Sequence, residues 1–162
     1  MNLTILGYYE GLGSVTVGAK PGEPTFDIDV TAVPAYNIVR ERDNGQKYHP
    51  KYSFDGYVLT MGDKHLYFAG DTESTPEMRD LKGIDAAFLP MNLPYTMTPD
   101  EAATAVRAFR PKVVYPYHFR SPFDQPSGNA EKFAAALKGS GIQVKILDWY
   151  PRAVVEKMMS EN

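Results

Sequence analysis

Asp71 and His118 are the side chains of this sequence best suited to hold a metal ion. Asp71 ends the run Tyr67-Phe68-Ala69-Gly70-Asp71, and His118 ends Val113-Val114-Tyr115-Pro116-Tyr117-His118. Each follows an apolar, strand-like stretch. The C-terminal edge of a strand holds a side chain rigidly, because the sheet fixes the backbone behind it. A carboxylate can bridge two cations through its two oxygens, and imidazole is the commonest protein metal ligand near neutral pH. Both residues also have ordinary structural uses, Asp71 as a turn or helix cap and His118 as a backbone-bonded histidine. The chain has three histidines, His49, His65 and His118, with no pair at metal-ligand spacing. His65 falls inside a hairpin strand, and we assign it no role.

Weaker candidates cluster in two loops. Asn37, His49 and Lys51 flank a long segment between strands and read as substrate contacts, although Asn37 also suits a turn. His49 precedes Pro50, which restricts it to an extended backbone. Residues 40 to 51 carry Arg40, Arg42, Lys47 and Lys51 against Glu41 and Asp43. This is a solvated loop or, in the alternative, an anion-binding one. Asn92 and Tyr95 lie between a strand end and a capped helix, where ligand clefts form in α/β sheets. A metal-free alternative pairs Asp71 with Glu73 as acid and base, but Gly70 should end the extended backbone that would put them on one face.

Several elements must position these residues. Short strands are expected at Leu3 to Leu6 and Ser14 to Val17. Phe26, Ile28 and Val30 alternate with Asp27, Asp29 and Thr31, the period of a half-buried strand. Gly56 to Met61 and His65 to Ala69 read as a hairpin around Gly62-Asp63. Pro76 to Leu81 suits a short helix, and Ile84 to Leu89 a strand buried on both faces. Thr98, Pro99 and Glu101 form a capping-box signature for a helix from Pro99 to Phe109, stopped by Pro111. A strand from Lys112 to Tyr115, a helix from Ala130 to Leu137, a strand from Ile142 to Leu147 and a tail helix from Val154 to Met159 complete the reading. From residue 55 onward strands and helices alternate in an α/β layered pattern.

The 162 residues fit one domain, residues 1–162, long enough to bury a core without staples. A net charge of −3 argues against a general nucleic-acid surface. The absence of cysteine excludes thiolate zinc sites, cysteine nucleophiles and disulfides. No apolar run reaches the roughly 18 residues of a membrane helix, and the N-terminus lacks the basic start of a signal peptide. The expectation is a cytoplasmic chain with no membrane partner.

The segments VPAYN (Val33 to Asn37), HPK (His49 to Lys51), GYVL (Gly56 to Leu59), YFAGDTE (Tyr67 to Glu73), IDAAFLPMN (Ile84 to Asn92), YTMTPDEAA (Tyr95 to Ala103) and PKVVYPYHF (Pro111 to Phe119) resemble, in this order, the C-terminal half of metallo-β-lactamase-fold hydrolases. They are most similar to the branch that includes the ascorbate-phosphate lactonases. The resemblance implies an α/β, four-layer αββα sandwich with a one- or two-metal site at one edge. It implies Asp71 as the metal-bridging carboxylate and His118 as a terminal ligand, with zinc, manganese or iron as the cofactor. The activity implied is attack of metal-activated water on an ester, lactone or phosphoester of a small substrate, with room for an anionic group at the Arg40 to Lys51 loop. Such hydrolases carry His-x-His-x-Asp-His in their first half, a segment this sequence does not contain. Part of the metal site and of the sandwich is therefore expected to be missing. Half a sandwich leaves an apolar sheet face, for which a homo-oligomer is the simplest cover. The alternative is a non-catalytic, dimeric binding or structural module.

Overall fold

The computed structural model describes residues 12–17, 26–119, 129–149 and 160. Seven strands form one mixed sheet in sequential order. They are β1 (Leu12–Val17), β2 (Phe26–Pro34), β3 (Asp55–Met61), β4 (Lys64–Phe68), β5 (Ala86–Pro90), β6 (Val113–Tyr117) and β7 (Gln143–Val144). β1 to β4 run antiparallel, and β4 to β7 run parallel. The switch is forced by connection length. Gly62, at φ +60°, closes the tight β3–β4 hairpin, whereas the later strands are joined through helices.

Those helices are α1 (Pro76–Arg79), α2 (Pro99–Phe109) and α3 (Asn129–Ala136). Sequential parallel strands with crossovers of one hand put them all on one face. That face holds the core. Val58, Tyr67, Ala87, Leu89 and Val114 of the sheet pack against Met78, Val106, Phe109 and Phe133 of the helices. Burying each large apolar side chain contributes about 1.5–3 kcal/mol. The expected capping box forms: Thr98 Oγ1 accepts from the Glu101 N–H at 3.2 Å, and Glu101 Oε2 accepts from the Thr98 N–H at 2.7 Å.

The opposite face carries a row of aromatic rings. Tyr57, Phe68, Phe88 and Tyr115 sit at register partners on β3 to β6. Phe68 and Phe88 stack with centroids 4.4 Å apart, and Phe88 and Tyr115 at 4.9 Å. Phe68 and Trp149 remain 36% and 39% exposed, so no layer covers this face among the described residues. The described residues thus form one sheet and one helical layer, two layers of the expected four.

Most expected elements form within a few residues of their predicted limits. The final strand is the exception. It was expected over Ile142 to Leu147, yet only Gln143–Val144 pair. Pro116 of β6 has no N–H with which to extend the ladder, and its carbonyl accepts the Trp149 indole N–H at 2.7 Å instead. β5 is buried on both faces as expected except at Phe88, which is half-buried because its ring faces the aromatic side. The expected strand at Leu3 to Leu6 and helix at Val154 to Met159 lie outside the described residues. No helix among the described residues is long and apolar enough to cross a membrane.

Candidate functional site

The C-terminal ends of β4, β5 and β6 meet at one rim. After β4 the chain turns at Gly70, with φ +66°. A Cβ there would lie 3.0 Å from the Asp55 carbonyl oxygen, so the turn packs backbone against backbone. Asp71 projects from this turn. Tyr117, the last residue of β6, donates its hydroxyl hydrogen bond to the Gly70 carbonyl at 3.1 Å. His118 follows in the left-handed region at φ +49°. Sites often store such strain.

Asp71 and His118, separated by 47 positions, meet: His118 Nδ1 lies 3.0 Å from Asp71 Oδ1. Its other ring nitrogen, Nε2, is 2.9 Å from the amide nitrogen of Asn92, which follows β5. The hydrogen bond from His118 pulls the Asp71 carboxyl below its ordinary pKa against the opposing effect of burial. The same bond raises His118 above the ordinary imidazole value, again against burial.

The second oxygen of Asp71 faces a different imidazole. His49 Nε2 lies 3.7 Å from Asp71 Oδ2. His49 arrives from the loop between β2 and β3, which Asn37 fastens. The Asn37 side-chain oxygen accepts the His49 backbone N–H at 2.7 Å, and the Asn37 N–H donates to the His49 carbonyl at 2.8 Å. Phe54 packs edge-on to the His49 ring at 5.4 Å.

Glu73 anchors the start of that loop. Its carboxylate accepts the backbone N–H groups of Ile38, Val39 and Arg40 at 2.8–3.0 Å, and the Asn37 amide at 3.1 Å. Burial pushes the Glu73 carboxyl up, but these four donors outweigh it and leave its pKa below the ordinary value. A carboxylate so occupied cannot serve as a free acid or base, which removes the metal-free pairing of Asp71 with Glu73.

The remaining sequence candidates fall as follows. Lys51 pairs with Glu77 at 3.0 Å and lies over the Tyr36 ring at 4.7 Å. Tyr95 contributes its carbonyl to the Asn37 amide at 2.8 Å, while its exposed ring meets Tyr48 edge-on. Asn37 and Asn92 hold histidines in place. Arg40 bonds Glu101 at 2.5 Å, Lys47 bonds Glu41 at 3.0 Å, and Arg42 lies over Tyr48. Each cation of the loop thus has an acidic or aromatic neighbour within the chain, in keeping with the reading of a solvated loop.

Asp55 was not anticipated. Its Oδ1 is buried with no hydrogen-bond partner among the described residues, and burial raises its carboxyl pKa. It lines two adjoining cavities. One, about 440 Å³, also has His49 and Asp71 in its walls; the other, about 570 Å³, is bounded by His118, Phe88 and Trp149. In sequence, Asp55 appears only as a polar residue before Gly56, with no spacing to mark it.

Can these residues hold a divalent ion? Bonds of about 2.0–2.2 Å from one ion to an imidazole nitrogen and a carboxylate oxygen set those atoms about 3.3–3.5 Å apart at a tetrahedral angle. His118 and Asp71, at 3.0 Å, are slightly closer than this, and His49 and Asp71, at 3.7 Å, slightly farther. The donor chemistry therefore fits. The donor count does not close a site: no three His, Asp, Glu or Cys side chains among the described residues converge on one point.

The sequence pattern of the Beta-lactamase superfamily domain matches residues 13–119. The chain belongs to this family. A UPF0173 metal-dependent hydrolase of Listeria monocytogenes serovar 1/2a is 40% identical to it over 96 residues, 57% of this chain and 41% of that protein. A crystal structure described as a metal-dependent hydrolase from Parabacteroides distasonis superposes with a TM-score of 0.64 at 50% identity. It aligns with 74% of this chain and 50% of its own. A metallo-β-lactamase superfamily structure from Thermotoga maritima, at 17% identity and TM-score 0.53, shares the fold. The chain spans about half the length, or less, of the first two relatives.

Proposed function

We propose that this metallo-β-lactamase-fold chain supplies the Asp71–His118 side of a divalent metal site in a metal-dependent hydrolase. The meeting of Asp71 Oδ1 and His118 Nδ1 at 3.0 Å carries this reading. Asp71 and His118 would hold the ion, whose chemistry would be to acidify water and stabilise negative charge on a carbonyl or phosphoryl oxygen. Asp71 supplies charge to the ion. Asn92 keeps the His118 ring from turning away, and Gly70 and His118 aim both ligands inward. The cavity of about 570 Å³, walled by Tyr57, Phe68, Phe88 and Trp149, offers apolar surface to the body of a small ester, lactone or phosphoester. Zinc, manganese and iron all suit these ligands. The remaining ligands come from residues equivalent to the unmatched half of the relatives.

The test is metal content. After incubation with Zn²⁺ or Mn²⁺ and removal of excess, we expect a measurable fraction of an ion per chain, lost in Asp71→Ala and His118→Ala. Less than about a tenth of an ion per chain would defeat the reading. A second reading is favoured by the lack of three converging ligands. In it the chain is a non-catalytic module that self-associates through its aromatic face. It predicts the same fold and oligomer with and without metal, and no hydrolysis that depends on Asp71.

A further inference from the structure

We infer that the substrate of the Asp71–His118 site is an ester with an apolar acyl chain, and that this chain lies along an exposed ridge made by the loops after β2 and β5. The inference names a substrate class for the proposed metal-dependent hydrolase and rests on that reading.

Two loops beside the site are built alike. After β2, Asn37 is buried, and the Glu73 carboxylate gathers the backbone N–H groups of Ile38, Val39 and Arg40 at 2.8–3.0 Å. With these donors turned inward, Ile38 and Val39 are left 44% and 64% exposed. After β5, Asn92 and Thr96 are buried and clasp each other. Thr96 Oγ1 accepts the Asn92 N–H at 2.7 Å, and the Asn92 carbonyl accepts the Thr96 N–H at 2.8 Å. This closed turn displays the residues between them: Leu93 is 48% exposed, Tyr95 40%, and Pro94 is exposed as well. The two loops touch. The Asn37 amide donates to the Tyr95 carbonyl at 2.8 Å, and the Tyr48 and Tyr95 rings meet edge-on at 4.9 Å. Single exposed apolar side chains are ordinary, but a cluster displayed by buried polar clasps reads as a binding surface.

The ridge is continuous with the site. Asn37 holds His49, Asn92 holds His118, and both imidazoles lie against Asp71. Each apolar stretch therefore starts one residue past a side chain in contact with the site, about 3.8 Å along the backbone. The chain of an ester seated at Asp71 and His118 reaches the ridge within a few methylenes.

Electrostatics favour an uncharged chain there over a phosphate. Successive backbone N–H groups make the kind of concavity that holds a phosphate. At residues 38 to 40 the Glu73 carboxylate already fills it. The neighbouring guanidinium of Arg40 is held by Glu73 at 3.4 Å and Glu101 at 2.5 Å.

Amide ¹H–¹⁵N spectra of the Zn²⁺-loaded chain, titrated with sodium hexanoate and with sodium acetate, test the inference. Both acids are stand-ins for the acid product of an ester, and they differ by four methylenes. Half-burying each methylene is worth about twofold, so hexanoate should bind at least about tenfold more tightly than acetate. Its saturable shifts should centre on Ile38, Val39, Leu93 and Tyr95. Val39→Ser combined with Leu93→Ser, at exposed positions that spare the core, should reduce the preference to below about threefold. Equal affinity for the two acids overturns the inference. So do hexanoate shifts centred on Phe88 and Trp149, which place the chain in the aromatic cavity instead. Inorganic phosphate that moves the amides of residues 38 to 40 more than hexanoate does also overturns it. If Zn²⁺ binds through Asp71 and hexanoate shows no preference, the ridge falls and the metal reading stands. If Zn²⁺ does not bind, both fall.

Discussion

Removing the Glu73 carboxylate should release the loop that carries Asn37 and His49. Glu73→Ala deletes the acceptor of three backbone N–H groups and of the Asn37 amide, on a side chain only 6% exposed. Each buried donor left without a partner costs about 1–3 kcal/mol. Ile38 and Val39 are 44% and 64% exposed, so water can reach this part of the loop, and their share belongs at the low end. The Arg40 N–H and the Asn37 amide lie deeper, and Asn37 is 4% exposed. The total comes to about 3–5 kcal/mol. Urea unfolding measures it: with a slope of about 2 kcal/mol per molar, the midpoint should fall by about 2 M. Glu73→Gln keeps Oε1 but turns an NH₂ toward the Ile38 and Val39 donors, and should lose about half as much. Hydrogen exchange should show protection lost at residues 38 to 40 before β5. A midpoint change below about 0.5 M for Glu73→Ala would refute the view that this carboxylate anchors the loop. The pH dependence carries the same sign. A carboxylate with a lowered folded pKa adds stability above its unfolded value, near 4.5, and loses it as pH falls through the folded value. Acid should therefore destabilise the wild type more than Glu73→Gln below pH 4.5.

Other outcomes are open to simpler measurements. In metal-free protein, His118 should titrate above the ordinary 6.5 by NMR and return toward it in Asp71→Asn; its pairing stabilises the fold below that value and is lost as pH rises through the folded pKa. An unshifted His118 would contradict the close pair. Gly56→Ala places a Cβ 2.6 Å from the carbonyl oxygens of Phe68 and Ala69, and should cost about 1–3 kcal/mol in a denaturant titration; a neutral result would mean that β3 and β4 can spread freely. If the aromatic face is a self-association surface, sedimentation should find a dimer or larger species that Phe88→Glu converts to monomer. A wild type monomeric at tens of micromolar would end that idea.

The sequence and the structure agree best where the signal is local. The Thr98-Pro99-Asp100-Glu101 cap forms as read, because every partner lies within one helical turn. Gly70 turns where expected, and the apolar runs before Asp71 and His118 are β4 and β6. What could not be read is what depends on side chains meeting across the chain. His49 lies 22 positions before Asp71, on a loop with no periodicity, so nothing in its spacing sets it against Asp71 Oδ2. Glu73 looked like a spare acid two residues from Asp71, and its burial under residues 37 to 40 appears only once β2 and the Gly70 turn are adjacent. Lys51 and Arg40 left an anion-binding loop open as the alternative because their partners, Glu77, Glu73 and Glu101, are 26 to 61 positions away.

The position of the site follows from sheet spacing. β4 and β6 flank β5, so their ends lie about 9–10 Å apart at some 4.8 Å per strand. Side chains that continued straight along those strands could not touch. Asp71 and His118 meet because both backbones bend inward just past the strands, each through a residue of positive φ, Gly70 and His118 itself. The middle strand reaches as far as β6, with Pro90 opposite Tyr117, and Asn92 just beyond it holds His118 Nε2. The cost of a left-handed non-glycine backbone, about 1–2 kcal/mol, is borne at His118 by fixed neighbours: Tyr117 bonded to Gly70, Asp71 on one ring nitrogen and Asn92 on the other. Asp71 and His118 are therefore positioned by the parallel half of the sheet, and His49 is brought beside them by the long loop after β2. The aromatic face has no part in holding them, although its rings wall one of the cavities beside them.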